Sequence, residues 1–123
     1  MSPTRPPPRI DVEGFLRTLR PKTKVIEYCM KSNVFVQGEP ASAVFYTQKG
    51  RVKLTVTSEQ GKAAIIGVLS GGSFFGEGCM AGQPLRMMRA SAITDCALLR
   101  IAKSAMMAAL HEYHDFSEFF TAY

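Results

Sequence analysis

The chain is 123 residues long, enough for one domain with a core of its own and too short for two. Apolar residues make up 46% and charged residues 20%, which excludes disordered and collagen-like classes. No apolar run reaches the ~18 residues of a membrane span, because Lys53, Lys62, Arg86 and Asp95 interrupt every candidate. The net charge of +5 is gathered at the front. Residues 1–24 hold Arg5, Arg9, Arg17, Arg20, Lys22 and Lys24 against Asp11 and Glu13, whereas the other nine basic groups face eight acidic ones. The basic character therefore reads as an N-terminal arm, solvated or in loose contact with nucleic acid or an acidic partner. No apolar stretch follows the prolines, so a secretory signal is not expected and a cytoplasmic protein is. Three cysteines without a CxxC pair, Cys29, Cys79 and Cys96, argue against a disulfide framework, a zinc knuckle or an iron–sulfur cluster, and read as small buried thiols.

Residues 1–10 contain Pro3, Pro6, Pro7 and Pro8 and read as a disordered arm; residues 11–123 read as the folded domain. From Asp11, Phe15, Leu16 and Leu19 fall on one helical face until Pro21 ends the pattern. The next eighty residues change character. Turn signals recur every ten to twelve residues at Gly38-Glu39-Pro40, Lys49-Gly50, Gln60-Gly61 and Gly71-Gly72. Between them lie strands: Val34-Phe35-Val36, Val44-Phe45-Tyr46, the strictly alternating Arg51–Thr57 run, and Ile65 to Leu69. One further strand is expected from about Ser91 to Ile101, after the irregular stretch 76–88. Short strands with evenly spaced glycine turns predict a mainly β double-stranded β-helix, or jelly roll, flanked by short α-helices at both ends. The period then becomes helical over Lys103–Tyr113, where Met106, Leu110 and Tyr113 share a face. Asp115 can cap a second helix carrying Phe116, Phe119, Phe120 and Tyr123 as a stripe that stops in mid-pattern, so that helix is expected to be truncated.

Chemistry concentrates between Gly72 and Arg86. A glycine-rich turn, one short helix and an arginine nine residues after Glu77 form a receptor for a small phosphate, through backbone N–H groups and a guanidinium. A carboxylate beside a phosphate repels it, so Glu77 suits a neutral hydroxyl instead. Arg89 offers a competing register, and an ion pair between Glu77 and Arg86 that merely pins the loop is the plain structural alternative. Cupin-type metal chemistry lacks ligands: His111 and His114 are the only histidines and lie beyond the roll. No Ser–His–Asp or Cys–His arrangement makes a positive case for an enzyme. Met80, Met87, Met88, Met106 and Met107 read as core filling.

The segment resembles the phosphate-binding cassette of cyclic-nucleotide-binding domains, and the element order over residues 11–123 resembles the sensor half of Crp/Fnr-type bacterial transcription regulators. The landmarks are Gly38-Glu39-Pro40-Ala41, Val44-Phe45-Tyr46, Gly50, and Phe75-Gly76-Glu77 leading to Arg86. The resemblance implies that the backbone at Gly76, Gly78 and Cys79 faces a phosphate, Glu77 a ribose and Arg86 the phosphate charge, with Leu54 and Ile66 lining a base pocket. Met87 stands where the family has Ser or Thr, and Gly78 where it often has a bulky aliphatic residue. The implied ligand is cAMP or cGMP, or another small effector, with no resident cofactor, no metal and no membrane partner. The resemblance further implies a homodimer in a longer parent, a monomer or weak dimer for this chain, and DNA binding only through a C-terminal part that is missing here. A degenerate β-roll serving as an interaction or dimerisation module is the alternative.

Overall fold

A computed structural model of the chain describes residues 23–112. The expected arm, the helix from Asp11, the Asp115 helix, His114 and the aromatic stripe lie outside the described residues.

Eight strands precede one helix: β1 (Thr23–Tyr28), β2 (Asn33–Phe35), β3 (Ala43–Lys49), β4 (Val52–Thr57), β5 (Ala63–Leu69), β6 (Phe74–Phe75), β7 (Arg89–Ala92) and β8 (Cys96–Ala102), then α1 (Lys103–Glu112). A 3-10 helix, Glu77–Ala81, sits between β6 and β7. The strands form two four-stranded sheets, β1-β8-β3-β6 and β2-β7-β4-β5, with every pairing antiparallel. This is the jelly roll that the spaced turns predict. Gly50 shows why one such turn must be glycine. Its φ is +90°, and a Cβ there would lie 2.5 Å from the Asp95 carbonyl oxygen, so both conformation and space exclude a side chain.

Alternation along β3 divides the apolar residues between two cores. Ala43 and Phe45 point between the sheets, where Phe35, Val52, Phe75, Ala90, Ala92, Cys96 and Leu98 join them. Val44 and Tyr46 point outward onto Phe74, Leu99 and Ile101, and α1 covers that face with Ala105, Met106 and Ala109. Three rings fill the inter-sheet core, with centroids 5.8 Å apart for Phe35–Phe45, 6.1 Å for Phe35–Phe75 and 5.3 Å for Phe45–Phe75. Offset rings at such spacings gain from their quadrupoles as well as from burial.

Three expectations need correction. Strand β1, with Thr23, Val25, Ile26 and Tyr28 as β-formers, is absent from the sequence reading because its apolar pair does not alternate. The single strand expected from Ser91 to Ile101 is two. β7 and β8 belong to different sheets, and the corner at Ile93-Thr94-Asp95 carries the chain between them. That corner is fastened by Ile93 N–H donating to the Arg51 carbonyl (2.9 Å), Arg51 N–H to Thr94 Oγ1 (3.1 Å) and Met30 N–H to Asp95 Oδ1 (2.8 Å). The methionines are not uniformly core: Met106 is fully buried, Met80 and Met88 are partly buried, and Met87 and Met107 are exposed.

Thr47 pairs with Leu98 on the inter-sheet face, is fully buried, and its hydroxyl finds no hydrogen-bond partner among the described residues. An unsatisfied buried hydroxyl costs about 1–3 kcal/mol, and valine has the same shape without the polar atom. Thr47→Val is therefore expected to raise stability by about 1 kcal/mol, roughly 4 °C in Tm for a chain of this size. An unchanged or lower melting temperature in calorimetry would show that the hydroxyl is satisfied.

Candidate functional site

The Gly38-Glu39-Pro40-Ala41 turn is a clamp for the arginine segment. Gly38 N–H donates to the Arg86 carbonyl (2.8 Å), Arg86 N–H to the Glu39 carbonyl (2.8 Å) and Ala41 N–H to the Pro84 carbonyl (2.8 Å), while Pro40 and Leu85 form a bridge. The Glu39 carboxylate holds the turn itself by accepting from Val36 N–H (2.9 Å). Position 86 is thus fixed against a turn more than forty residues earlier, and its side chain is aimed inward.

Arg86 is 8% exposed. Its Nη1 donates to the Gly76 carbonyl (2.8 Å) and its Nη2 to the Ala43 carbonyl (2.7 Å). The guanidinium carbon lies 4.1 Å from the centroid of Phe35 and 5.8 Å from that of Phe45. Burial pushes the guanidinium pKa down from its usual value, with the nearby Cys79 acting in the opposite sense. The group stays charged, because arginine starts so high. Nε is buried and, among the described residues, without a hydrogen-bond partner.

Gly76 opens the 3-10 helix in a left-handed conformation (φ 77°), and a Cβ there would lie 2.9 Å from Arg86 Nη1. Glycine is required for both reasons. At Gly78 the space of a Cβ is taken by the Gln83 amide oxygen. Cys79 is fully buried, and its thiol lies 3.6 Å from the same two carbonyls that Arg86 uses, those of Ala43 and Gly76. Burial raises its pKa above the usual thiol value, Arg86 opposing.

These residues surround a pocket of about 230 Å³ lined by Phe35, Leu54, Gly76, Glu77, Gly78, Cys79, Arg86 and Met87, among others. Of the residues singled out from sequence, Ile66 does not line it. Leu54 pairs with Gly67 and Thr55 with Ile65, so Ile66 is the extra residue of a bulge, and it is 53% exposed. The Glu77–Arg86 ion pair is also not formed: Glu77 is exposed, and both terminal nitrogens of Arg86 are spent on carbonyls. Arg89 is exposed on the outward side of β7, away from the pocket. Among the described residues no cluster of His, Cys, Asp or Glu can hold a metal ion. Phe35 and the Ala43 carbonyl are neighbours of Arg86 that sequence reading missed, since neither residue carries a polar side chain.

The family model of the cyclic nucleotide-binding domain matches residues 25–113. The chain belongs to that family. Among curated relatives, the cAMP-activated global transcriptional regulator CRP of Pasteurella multocida (strain Pm70) is 36% identical over 77 residues, 62% of this chain and 37% of that protein. The CRP of Salmonella typhimurium is 39% identical over 51 residues, 42% of this chain and 24% of that protein. The cyclic nucleotide-binding domain thus spans well under half the length of these relatives. Among solved structures, the sensor domain of the transcriptional regulator DNR from Pseudomonas aeruginosa superposes with a TM-score of 0.77 at 26% identity, covering 87% of this chain and 72% of that one. The Thermus thermophilus catabolite activator protein has the same fold, with a TM-score of 0.77 at 21% identity over 87% of this chain and 50% of that one.

The thiols of this cyclic nucleotide-binding domain differ in access: Cys29 is exposed, contrary to the expectation of burial, while Cys79 and Cys96 are buried. In a native titration with an aromatic disulfide, only Cys29 is expected to react at once, the other two following on unfolding. Prompt reaction of Cys79 would show that the cassette opens readily without ligand.

Proposed function

We propose that the domain is the effector-sensing half of a Crp/Fnr-type transcription regulator and that its pocket takes a small phosphate-bearing ligand, with cAMP and cGMP as the reference compounds. The observation that supports this most is Arg86: a guanidinium buried among aromatic rings, with one nitrogen unpartnered, on the wall of a pocket whose far side is apolar. In this reading Arg86 meets the phosphate charge, the backbone at Gly76, Gly78 and Cys79 its oxygens, Glu77 the ribose hydroxyl, and Leu54 with Phe35 the base.

The carbonyl contacts of Arg86 suit a mechanism. A phosphate oxygen is a stronger acceptor than a neutral carbonyl, because charge on both partners shortens and strengthens the bond. A ligand therefore competes with the Gly76 and Ala43 carbonyls for the guanidinium. Ala43 opens β3, whose outward residues Val44 and Tyr46 share a core with Met106 and Ala109 of α1. Drawing Arg86 toward the ligand loosens the start of β3 and alters the seat of α1, the helix that in this reading leads to the dimer seam. The DNA-reading part of such a regulator lies outside this domain, and its compartment is the cytoplasm. Among the described residues no helix is long and apolar enough to cross a membrane.

Met87 lines the pocket but cannot donate a hydrogen bond. A missing bond to a charged acceptor is worth about 1.5–3 kcal/mol, roughly tenfold to a hundredfold in affinity. Calorimetric titration is expected to show weak binding of cAMP, strengthened in Met87→Ser, lost in Arg86→Lys and retained in Arg89→Ala, with thermal melts verifying that each variant folds. Silence of both nucleotides, in the native chain and in Met87→Ser alike, would transfer the case to an interaction module without a nucleotide.

A further inference from the structure

The outer face of the second sheet carries a groove that the nucleotide pocket does not use. Its volume is about 390 Å³, and Lys31, Lys53, Arg89, Asn33 and Ser91 line it; no carboxylate does. Strand register explains the assembly, since residues opposite one another on antiparallel strands share a face. Asn33 pairs with Ser91, Ser91 with Lys53 and Lys53 with Val68, giving one row across all four strands. Arg89 pairs with Thr55 and Thr55 with Ile65, giving a second row. Lys31 is held above them at the β1–β2 turn, its N–H donating to the Ala92 carbonyl (2.7 Å) with φ at 74°, a left-handed conformation unusual for lysine.

Two properties of this face define what suits it. Three cations stand together, and among the described residues none is hydrogen-bonded or ion-paired through its side chain. Beside them, at the β5 edge, Ile65 and Val68 are 62% and 44% exposed. A phosphate backbone would use the charges and leave the aliphatic side chains idle, and three cations are few for a nucleic-acid footprint. A polypeptide offering carboxylates with interspersed aliphatic side chains would use both. Helix α1 lies on the outer face of the other sheet, so such a segment docks without displacing it.

We propose that this face is a docking site for an acidic, aliphatic-bearing segment of a partner protein, independent of the nucleotide pocket. The charges steer and register the segment, and Ile65 and Val68 receive its apolar side chains.

The test is fluorescence anisotropy of the full chain with a labelled glutamate-rich peptide bearing interspersed leucines. Unlabelled oligoglutamate, oligothymidylate and tripolyphosphate serve as competitors. Saturable binding that weakens with salt is expected. It should fall about tenfold or more in Lys53→Glu/Arg89→Glu, less in Lys53→Ala/Arg89→Ala, and several-fold in Ile65→Ser/Val68→Ser. Melting curves and the cyclic-nucleotide titration should be unchanged in all three variants. Competition by oligothymidylate or tripolyphosphate as strong as by the unlabelled peptide overturns the proposal in favour of a phosphate site. Equal affinity of oligoglutamate and the leucine-bearing peptide, or of native chain and variants, overturns it outright.

Discussion

One buried cation organises this domain. The Arg86 guanidinium reaches the carbonyl of Gly76, at the mouth of the 3-10 helix, and that of Ala43, at the start of β3, while its carbon lies over the ring of Phe35 of β2. It therefore ties together both sheets and the loop between β6 and β7. A charge so far from water requires compensation, and here it comes from two carbonyl acceptors and two aromatic faces. Among the described residues its remaining nitrogen, Nε, has no hydrogen-bond partner. The same two carbonyls have a second neighbour in the Cys79 thiol. When the guanidinium turns away, a weak donor is already within reach of the acceptors it leaves, so the departure strands less buried polarity than it otherwise would.

The double core explains how a change at that cation can travel. Strand β3 is one residue thick, with one face in the inter-sheet core and the other under α1. Close-packed interiors respond to displacement as units rather than by local give. A shift at Ala43 thus has consequences on both sides of the strand, and α1 is the first element on the outward side able to move as a rigid body. Both cores and one of the carbonyls that hold Arg86 share a single strand.

Much of this was legible in the sequence where the signal is local. The glycine turns, the alternating Arg51–Thr57 run and the switch to helical period at Lys103 each announce themselves within a few residues. The nine-residue Glu77–Arg86 spacing is a local signal of the same kind. What escaped depends on distant partners. That Arg86 faces inward follows from its backbone pairing with Gly38 and Glu39 and that of Pro84 with Ala41, and its second acceptor belongs to Ala43; no local pattern encodes either. The division of Ser91–Ile101 into two strands rests on a corner whose bonds go to Arg51 and Met30. The resemblance implies a pocket place for Ile66, but a single bulge displaces it from the strand's alternation, since the period of a strand is two.

That bulge also bears on how the domain behaves in a crowded solution. Strand β5 reads Ala-Ala-Ile-Ile-Gly-Val-Leu, without a charge or a proline, and among the described residues it lies at the end of its sheet, paired with β4 alone. By composition it is the kind of segment that templates intermolecular strand addition and fibril growth. No gatekeeper side chain protects it, so protection falls to geometry. The extra residue at Ile66 bends and twists the strand and breaks the even row of backbone donors and acceptors that an incoming chain would have to match. Deleting one residue there would straighten the edge, and solubility, rather than folding, is the property most exposed to that change.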